Sequence, residues 1–311
     1  MTDELAKHIQ TLDHDASYRV VSTLKSSDQE TTELVTFVGA NQSELGPFIR
    51  KRFKRDAPLG SAYALLYQAQ QSGRRFLHVP AVFESYTLGD EDVVVMEYLK
   101  GETLYDVVYR CNPSVALAAD VFPQLCDAVL EFQESCNPPL IHRDIKPSNI
   151  ILSKNNLSII DFGISRTYKP DVDYDTHHFG TREYAAPEQF GFGQTDVRTD
   201  VFALGQVLWF CLTEQNPTQR TRLEGYHDPR VPEAYRQIIV KATSFDPNDR
   251  YANVHELKDV FTAATKQLGS LVPQVPTPVM TSSSTVSGNN QSKMEQLLQL
   301  SPRHFIQTTI M

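Results

Sequence analysis

The sequence lacks most of the features that would mark a specialised class. Among 311 residues there are four cysteines, Cys111, Cys126, Cys136 and Cys211. None forms a Cys-x-x-Cys pair or stands beside a histidine at metal-ligand spacing, which argues against a disulfide scaffold or a zinc site. Cys126 and Cys211 fall in apolar helical patterns and read as buried thiols, as expected in a reducing compartment. Long apolar runs are also missing. The longest, Val201 to Leu212, carries Gln206 and is too short to cross a bilayer. The N-terminus, MTDELAKHIQ, has no apolar signal-peptide core, so a cytoplasmic chain with no membrane span is expected. Excess positive charge is absent too: the net charge is −9 and scattered, against nucleic acid as a partner. The one basic run, Arg50-Lys51-Arg52-Phe53-Lys54-Arg55, reads as a solvated strand edge and turn in every member except Lys51.

The composition is otherwise that of a globular protein able to bury a sizeable core. Residues 1–16 predict a short amphipathic extension, with Leu5, Ile9 and Leu12 at helical spacing. Strand-like runs at Tyr18–Leu24, Thr31–Val38 and Pro47–Phe53 are separated by KSSDQE and GANQSELG, which predicts an antiparallel meander. A helix over Gly60–Gln71 and strands around Ala81–Tyr86 and Asp92–Glu97 complete a β-rich first third. After Gly101 the pattern turns helical: Leu117, Val121, Leu125, Val129 and Phe132 recur at helical spacing, with Pro123 as a potential kink. Two short strands, Asn149–Leu152 and Leu157–Ile160, flank a KNN turn, and helical patterns fill Thr199 to Ala264. The fold class is α+β: a small β-rich lobe, 17–99, ahead of a larger helical lobe, 100–266. Residues 267–311 are rich in Pro, Ser and Thr with little charge and read as a disordered tail; Met294 to Leu300 could form a short helix within it.

The strongest chemical signal is His142 to Asn149, HRDIKPSN. Phosphoryl transfer to a hydroxyl needs a carboxylate to take the proton, a cation near the transferred group, and oxygen ligands for Mg²⁺. Asp144, Lys146 and Asn149 supply all three within one loop. A solvated charged turn is the plain alternative, and the full match to the H-R-D-L-x-x-x-N signature weighs against it. Asp161-Phe162-Gly163 follows twelve residues after Asn149. The spacing allows a hairpin that brings Asn149 and Asp161 to one site.

These motifs resemble the eukaryotic-type Ser/Thr protein kinase family, and PPLIHRDIKPSNI is most similar to its bacterial members. The likeness extends through Gly180-Thr181-Arg182-Glu183-Tyr184-Ala185-Ala186-Pro187-Glu188, to Asp200-Val201-Phe202-Ala203-Leu204-Gly205, and to Arg250. It covers roughly Tyr18 to Ala264 and is most specific from Pro138 onward. The resemblance implies a bilobal kinase fold, ATP and Mg²⁺ (or Mn²⁺) as cofactors, and a protein Ser/Thr hydroxyl as acceptor. It makes Asp144 the catalytic base, places Lys146 at the γ-phosphate, and gives Asn149 and Asp161 the metal. It implies that Met96 backs the adenine pocket, that Glu97 to Leu99 form the hinge, and that Glu102 can reach the ribose. Arg143 would pair with a phosphorylated activation-segment residue among Thr167, Tyr168, Tyr174 and Thr176, with Thr176 the first choice. Thr181 would line the acceptor site, Glu188 would pair with Arg250, and Asp200 would be the buried helix aspartate.

The ATP-binding end departs from the family. No glycine lies between Leu24 and Val35, where a glycine-rich loop would let backbone N–H groups approach phosphates. Ser26, Ser27 and Thr31 could offer hydroxyls there. Lys51 is the expected β3 lysine, with Lys54 as runner-up. No Asp or Glu occurs between Asp56 and Glu84, so the helix that should supply the lysine's acidic partner has none. Ala64 or Gln68 is expected at that place, leaving Asp161 or Gln68 to hold the lysine. Two functions follow: an active kinase with a degenerate ATP roof, or a pseudokinase acting as a nucleotide-binding or scaffolding module. Small-molecule kinases of the aminoglycoside type fit poorly, because those lack the activation-segment end and Lys146.

Overall fold

The computed structural model describes residues 10–39, 41–154, 156–167 and 181–271. The initial helix (α1), described over residues 10–16, leads into β1 (Tyr18–Ser26), β2 (Glu30–Val38) and β3 (Glu44–Lys54). Helix α2 (Ser61–Gln71) precedes β4 (Val82–Leu88) and β5 (Glu91–Glu97). The five strands form one antiparallel sheet in the order β1-β2-β3-β5-β4. The meander predicted from alternation is therefore present, with each strand longer than its apolar core suggests.

The basic run on β3 is not a solvated edge. Arg50 is buried, with Asp15 and Glu33 at its guanidinium, and Arg52 reaches Asp15 and Glu91. Asp15 on α1 thus bridges two arginines and also accepts from the Tyr86 hydroxyl at 2.7 Å. Buried or half-buried arginines are retained only when paired, and α1 supplies part of the pairing. Leu12 of the same helix is exposed, so α1 docks through Asp15 and His14 rather than through the predicted apolar stripe. Leu5 and Ile9 lie outside the described residues.

The helical lobe opens with β6 (Glu102–Thr103), α3 (Leu104–Cys111) and α4 (Val115–Gln133). The Ser114 hydroxyl caps α4 by accepting from Leu117 N, and Pro123 sits inside the helix. Strands β7 (Leu140–Ile141), β8 (Ile150–Leu152), β9 (Leu157–Ile159) and β10 (Arg166–Thr167) carry the loops of the site. Helix α5 (Val197–Thr213) is buried from Thr199 to its end, as expected for a helix with apolar residues on every face at the centre of a lobe. Around it lie α6 (Gln219–Leu223), α7 (Glu233–Ala242) and α8 (Val254–Leu271). A Cβ on Gly205 of α5 would come within 2.8 Å of Thr243 and 2.9 Å of Ala242, so the α5–α7 crossing requires glycine there. The core runs through both lobes, from Phe53, Tyr63 and Leu66 through Phe162 and Phe132 to α5 and α8. Cys126 and Cys211 are buried, and none of the four cysteines forms a disulfide. No helix among the described residues is long and apolar enough to cross a membrane.

Candidate active site

The site is built on a buried carboxylate. Asp200 in the first turn of α5 is inaccessible to solvent and accepts hydrogen bonds from His142 N and Arg143 N, each 3.1 Å, and from Gln133 Nε2, 2.8 Å. Burial pushes its carboxyl up to about 6, against the pull of these three donors. Two of those donors are backbone amides, so Asp200 fixes the chain that leads to Asp144. Arg143 holds a left-handed φ of 69° and Asp161 one of 66°. Non-glycine residues adopt that region at a cost, and such strain collects at functional sites.

His142 lies between these two points. Its ring packs on Phe162 at 4.6 Å and on Phe132 at 5.7 Å. Nε2 donates to Ile160 O at 3.2 Å, and Nδ1 accepts from Asp144 N at 3.3 Å. This pairing needs the neutral ring protonated on Nε2, and burial lowers its pKa to about 4.

Asp144 is the point of convergence. Its Oδ2 accepts from Lys146 Nζ at 2.8 Å and from Asn149 Nδ2 at 3.0 Å. Its Oδ1 accepts from the Thr181 hydroxyl at 2.9 Å and from Thr181 N at 3.2 Å. Lys146 also donates to the Thr181 oxygen at 2.7 Å. The predicted neighbourhood of Asp144, Lys146, Asn149 and Thr181 is thus assembled. Both Asn149 amide contacts run to Asp144, so the atom left for a cation is its amide oxygen. The predicted hairpin joins β8 and β9, and Ile160 N donates to Asn149 O at 2.9 Å, locking the ends of the two strands together.

Asp161 turns toward the sheet and accepts from Lys51 Nζ at 2.6 Å. Burial favours its neutral form, yet the Lys51 charge outweighs this and holds the carboxyl down near about 2. An ionised Asp161 carboxylate and the Asn149 amide oxygen are together a donor set that fits a divalent cation such as Mg²⁺. That ion commonly takes one or two protein oxygens and completes its shell with phosphate and water. Phe162 points away into the core, against Phe132 and Tyr63, and its N–H donates to the Tyr63 hydroxyl at 3.0 Å.

Lys51 is the sheet's lysine, and it is buried. Lys54 is half-exposed and pairs with Asp90 and Glu91 at the far end of the strand. The expected α2 position was misplaced: Ala64 and Gln68 are exposed, and the buried face of α2 is Ala62, Tyr63 and Leu66. Gly60, with φ 78°, turns the chain into α2, and its N–H donates to Gly163 O at 2.7 Å. This sets the helical phase one residue away from that assumed. Gln68 therefore does not hold the lysine, whereas Asp161 does. A second partner, missed in the sequence, is Glu30 at the start of β2, whose Oε1 accepts from Lys51 Nζ at 2.8 Å. The available signal was alternation. Glu30 and Thr32 share a face, and Thr32 pairs in register with Lys51. Thr31 lies on the other face, and the Ser27 hydroxyl closes the β1–β2 turn by accepting from Glu30 N at 3.1 Å.

Further out, Met96 is buried behind the sheet, and Glu97 and Tyr98 are exposed with Leu99 half-buried. Glu102 forms a two-point ion pair with Arg110, at 3.1 and 2.9 Å. Glu188 and Arg250 pair through both guanidinium arms, at 2.7 and 2.8 Å, and both are buried, as expected. Thr199 also donates to Glu188 at 2.8 Å. Arg143 is buried and donates to Ile164 O at 3.3 Å. Thr176, Tyr168, Tyr174 and residues 272–311 lie outside the described residues, whereas 267–271, expected to begin a disordered tail, continue helix α8.

Comparison with known proteins agrees with this geometry. The profile of the protein kinase domain matches residues 70–299, beginning at the end of α2, beyond the meander whose β1–β2 turn has no glycine. The serine/threonine-protein kinase PknB of Mycolicibacterium smegmatis is 28% identical over 266 residues, covering 75% of this chain and 42% of that protein. PrkC of Bacillus subtilis is 30% identical over 252 residues, 74% of this chain and 36% of its own length. Serine/threonine-protein kinase A of a Synechocystis strain is 31% identical over 192 residues, 57% of this chain and 34% of its own. The chain therefore spans less than half the length of these relatives. With the profile matched over most of its length and the bilobal fold in place, the chain belongs to the eukaryotic-type Ser/Thr protein kinase family.

Proposed function

We propose that the protein transfers the γ-phosphate of Mg-ATP to a Ser or Thr hydroxyl of a protein substrate. The observation that carries this reading is the contact set of Asp144. One carboxylate oxygen is held by Lys146 and Asn149, while the other accepts from a threonine hydroxyl. The Thr181 hydroxyl, which donates to Asp144, supports the reading that an acceptor hydroxyl can take the same place. In the reaction Asp144 accepts the proton of the attacking hydroxyl, and Lys146 places its charge beside the group in transfer. Asn149 and Asp161 would hold the Mg²⁺ ion, which neutralises phosphate charge when bound. Glu97 and Leu99 form the hinge for adenine, and Glu102 meets the ribose. Arg143 receives the phosphate of a modified activation segment, with Thr176 as its source. The kinase domain occupies 17–266, between the extension 1–16 and the tail 267–311, and the chain works in the cytoplasm on ATP and a protein, not on nucleic acid.

Two observations favour a second reading, a pseudokinase that binds nucleotide or acts as a scaffold. The β1–β2 turn has no glycine, and the buried face of α2 has no acid. The two readings separate on incubation with labelled ATP and Mg²⁺ or Mn²⁺, with Asp144→Asn alongside. Transfer to the protein itself or to a generic substrate, lost in the variant, is expected. No transfer would contradict the kinase reading, and thermal stabilisation by Mg-ATP without transfer would favour the pseudokinase.

A further inference from the structure

The inner face of the sheet carries a charge set that the family motifs do not contain. In the strand register, Lys25 of β1 stands opposite Thr32 of β2, and Thr32 stands opposite Lys51 of β3. Directly opposite residues share a face, so both lysines project to the side where Asp161 lies. Glu30, two residues before Thr32, projects there too and joins them. Its Oε2 accepts from Lys25 at 2.8 Å, and its Oε1 accepts from Lys51 at 2.8 Å and from the Thr32 hydroxyl at 3.3 Å. Glu30 is buried, with a side-chain exposure of 8%, whereas Lys25 remains 54% exposed. A buried carboxylate with both oxygens engaged by ammonium groups is a fixed strut, not a free charge that would repel an anion.

We propose that Glu30 is a positioning residue of the nucleotide site, holding Lys25 and Lys51 together beneath the β1–β2 turn as the phosphate-binding pair. The pair does by side-chain charge what a glycine-rich turn does with backbone amides. The turn itself cannot offer that cradle: its residues carry Cβ atoms, and Ser27 hydrogen-bonds back to Glu30 to close it. Because the strut stands on β2, Lys51 does not depend on an α2 acid for its place. That face of α2 is given instead to Tyr63, which stacks on Phe53 at 5.7 Å and anchors Phe162.

This inference rests on the kinase reading for its ligand, Mg-ATP, yet its test does not require turnover. Calorimetric titration of the full chain with Mg-ATP and with adenosine compares the native protein with Glu30→Gln, Glu30→Asp and Lys25→Ala. Glu30→Gln is expected to weaken Mg-ATP about tenfold or more, the size of a lost charge-assisted contact, and to leave adenosine unchanged. Glu30→Asp should restore much of the loss, and Lys25→Ala should weaken Mg-ATP alone. Should Glu30→Gln fail to fold, the other two variants carry the test. Mg-ATP affinity that is unchanged or tighter in the Glu30 variants, with phosphate transfer intact, overturns this inference alone. Glu30-dependent affinity without transfer contradicts only the kinase reading, and a native chain that binds no Mg-ATP overturns both.

Discussion

The two lobes hold their charged groups in different ways. In the helical lobe the backbone fixes the site. Asp200 grips two main-chain amides, His142 spans Ile160 O and Asp144 N, and the β8–β9 hairpin locks Asn149. In the sheet lobe, side chains hold one another: Glu30 between Lys25 and Lys51, and Asp15 between Arg50 and Arg52. A backbone-held site tolerates little change in sequence, because each position serves chain geometry as well as chemistry. A charge-held site can be rebuilt from any strand whose register reaches the same face. The family profile begins only at residue 70, past that rebuilt region.

The comparison can be broken first at its most buried pair. Arg250→Leu leaves Glu188 charged and unpaired at 1% side-chain exposure, and a loss of about 3–5 kcal/mol in unfolding free energy is expected by denaturant titration. The loss should be nearly independent of salt, since the pair is shielded from ions. A loss below 1 kcal/mol would mean that the helical lobe does not depend on buried charge pairing.

A pH test probes the same lobe. His142 is held neutral, with its folded pKa lowered to about 4, so the unfolded chain binds its proton more readily. Stability from this residue is therefore complete above about pH 6.5 and lost as pH falls toward about 4, on the order of 3 kcal/mol in all. Asp200 acts in the opposite sense: its raised pKa makes its ionised form costly, so it gains stability as pH falls through about 6. Melting curves of His142→Phe against the native chain should converge, or cross in the variant's favour, on acidification from pH 7 to 5. Parallel curves would show that the ring is not held neutral.

The side-chain network of the sheet lobe should fail at its shared acid. Asp15→Asn removes the carboxylate that Arg50 and Arg52 share between α1 and the sheet, and a loss of about 1–3 kcal/mol is expected by denaturant titration. Little of it should disappear in about 0.5 M salt, since Arg50 and Asp15 are only 5% and 13% exposed. A loss below about 0.5 kcal/mol would mean that charge does not hold α1 to the sheet.

The same division governs how far the sequence could be read. HRDIKPSN was legible because one short loop carries all its chemistry, and Asp161, Asp200, Glu188 and Arg250 lie where family spacing puts them. The strands of the sheet, α2 and α4 followed from periodicity to within a few residues, whereas α3 was not foreseen and α8 runs past the expected end at Ala264. Glu30 was not legible by the same route. Its meaning depends on which residues of β1, β2 and β3 stand opposite each other, and a register is set by turns and bulges such as the shift between Thr23 and Lys25. The phase of α2 failed for a related reason: Gly60 in the left-handed region rotates the helix so that Tyr63, not Ala64 or Gln68, faces in. The basic run was misread because charge runs are usually solvated, whereas here acids from α1, β2 and β5 reach over its arginines.

The most direct test of the account is intact-mass and peptide mass spectrometry after incubation with Mg-ATP and a generic protein substrate. Native and Asp144→Asn proteins are compared, with Mg-ATP affinity measured on both. The account predicts phosphate on Ser or Thr with the native chain. In the variant it predicts a rate lower by about 10²–10⁴-fold with Mg-ATP binding retained. Equal incorporation by both proteins, or none by a native chain that binds Mg-ATP, would contradict it.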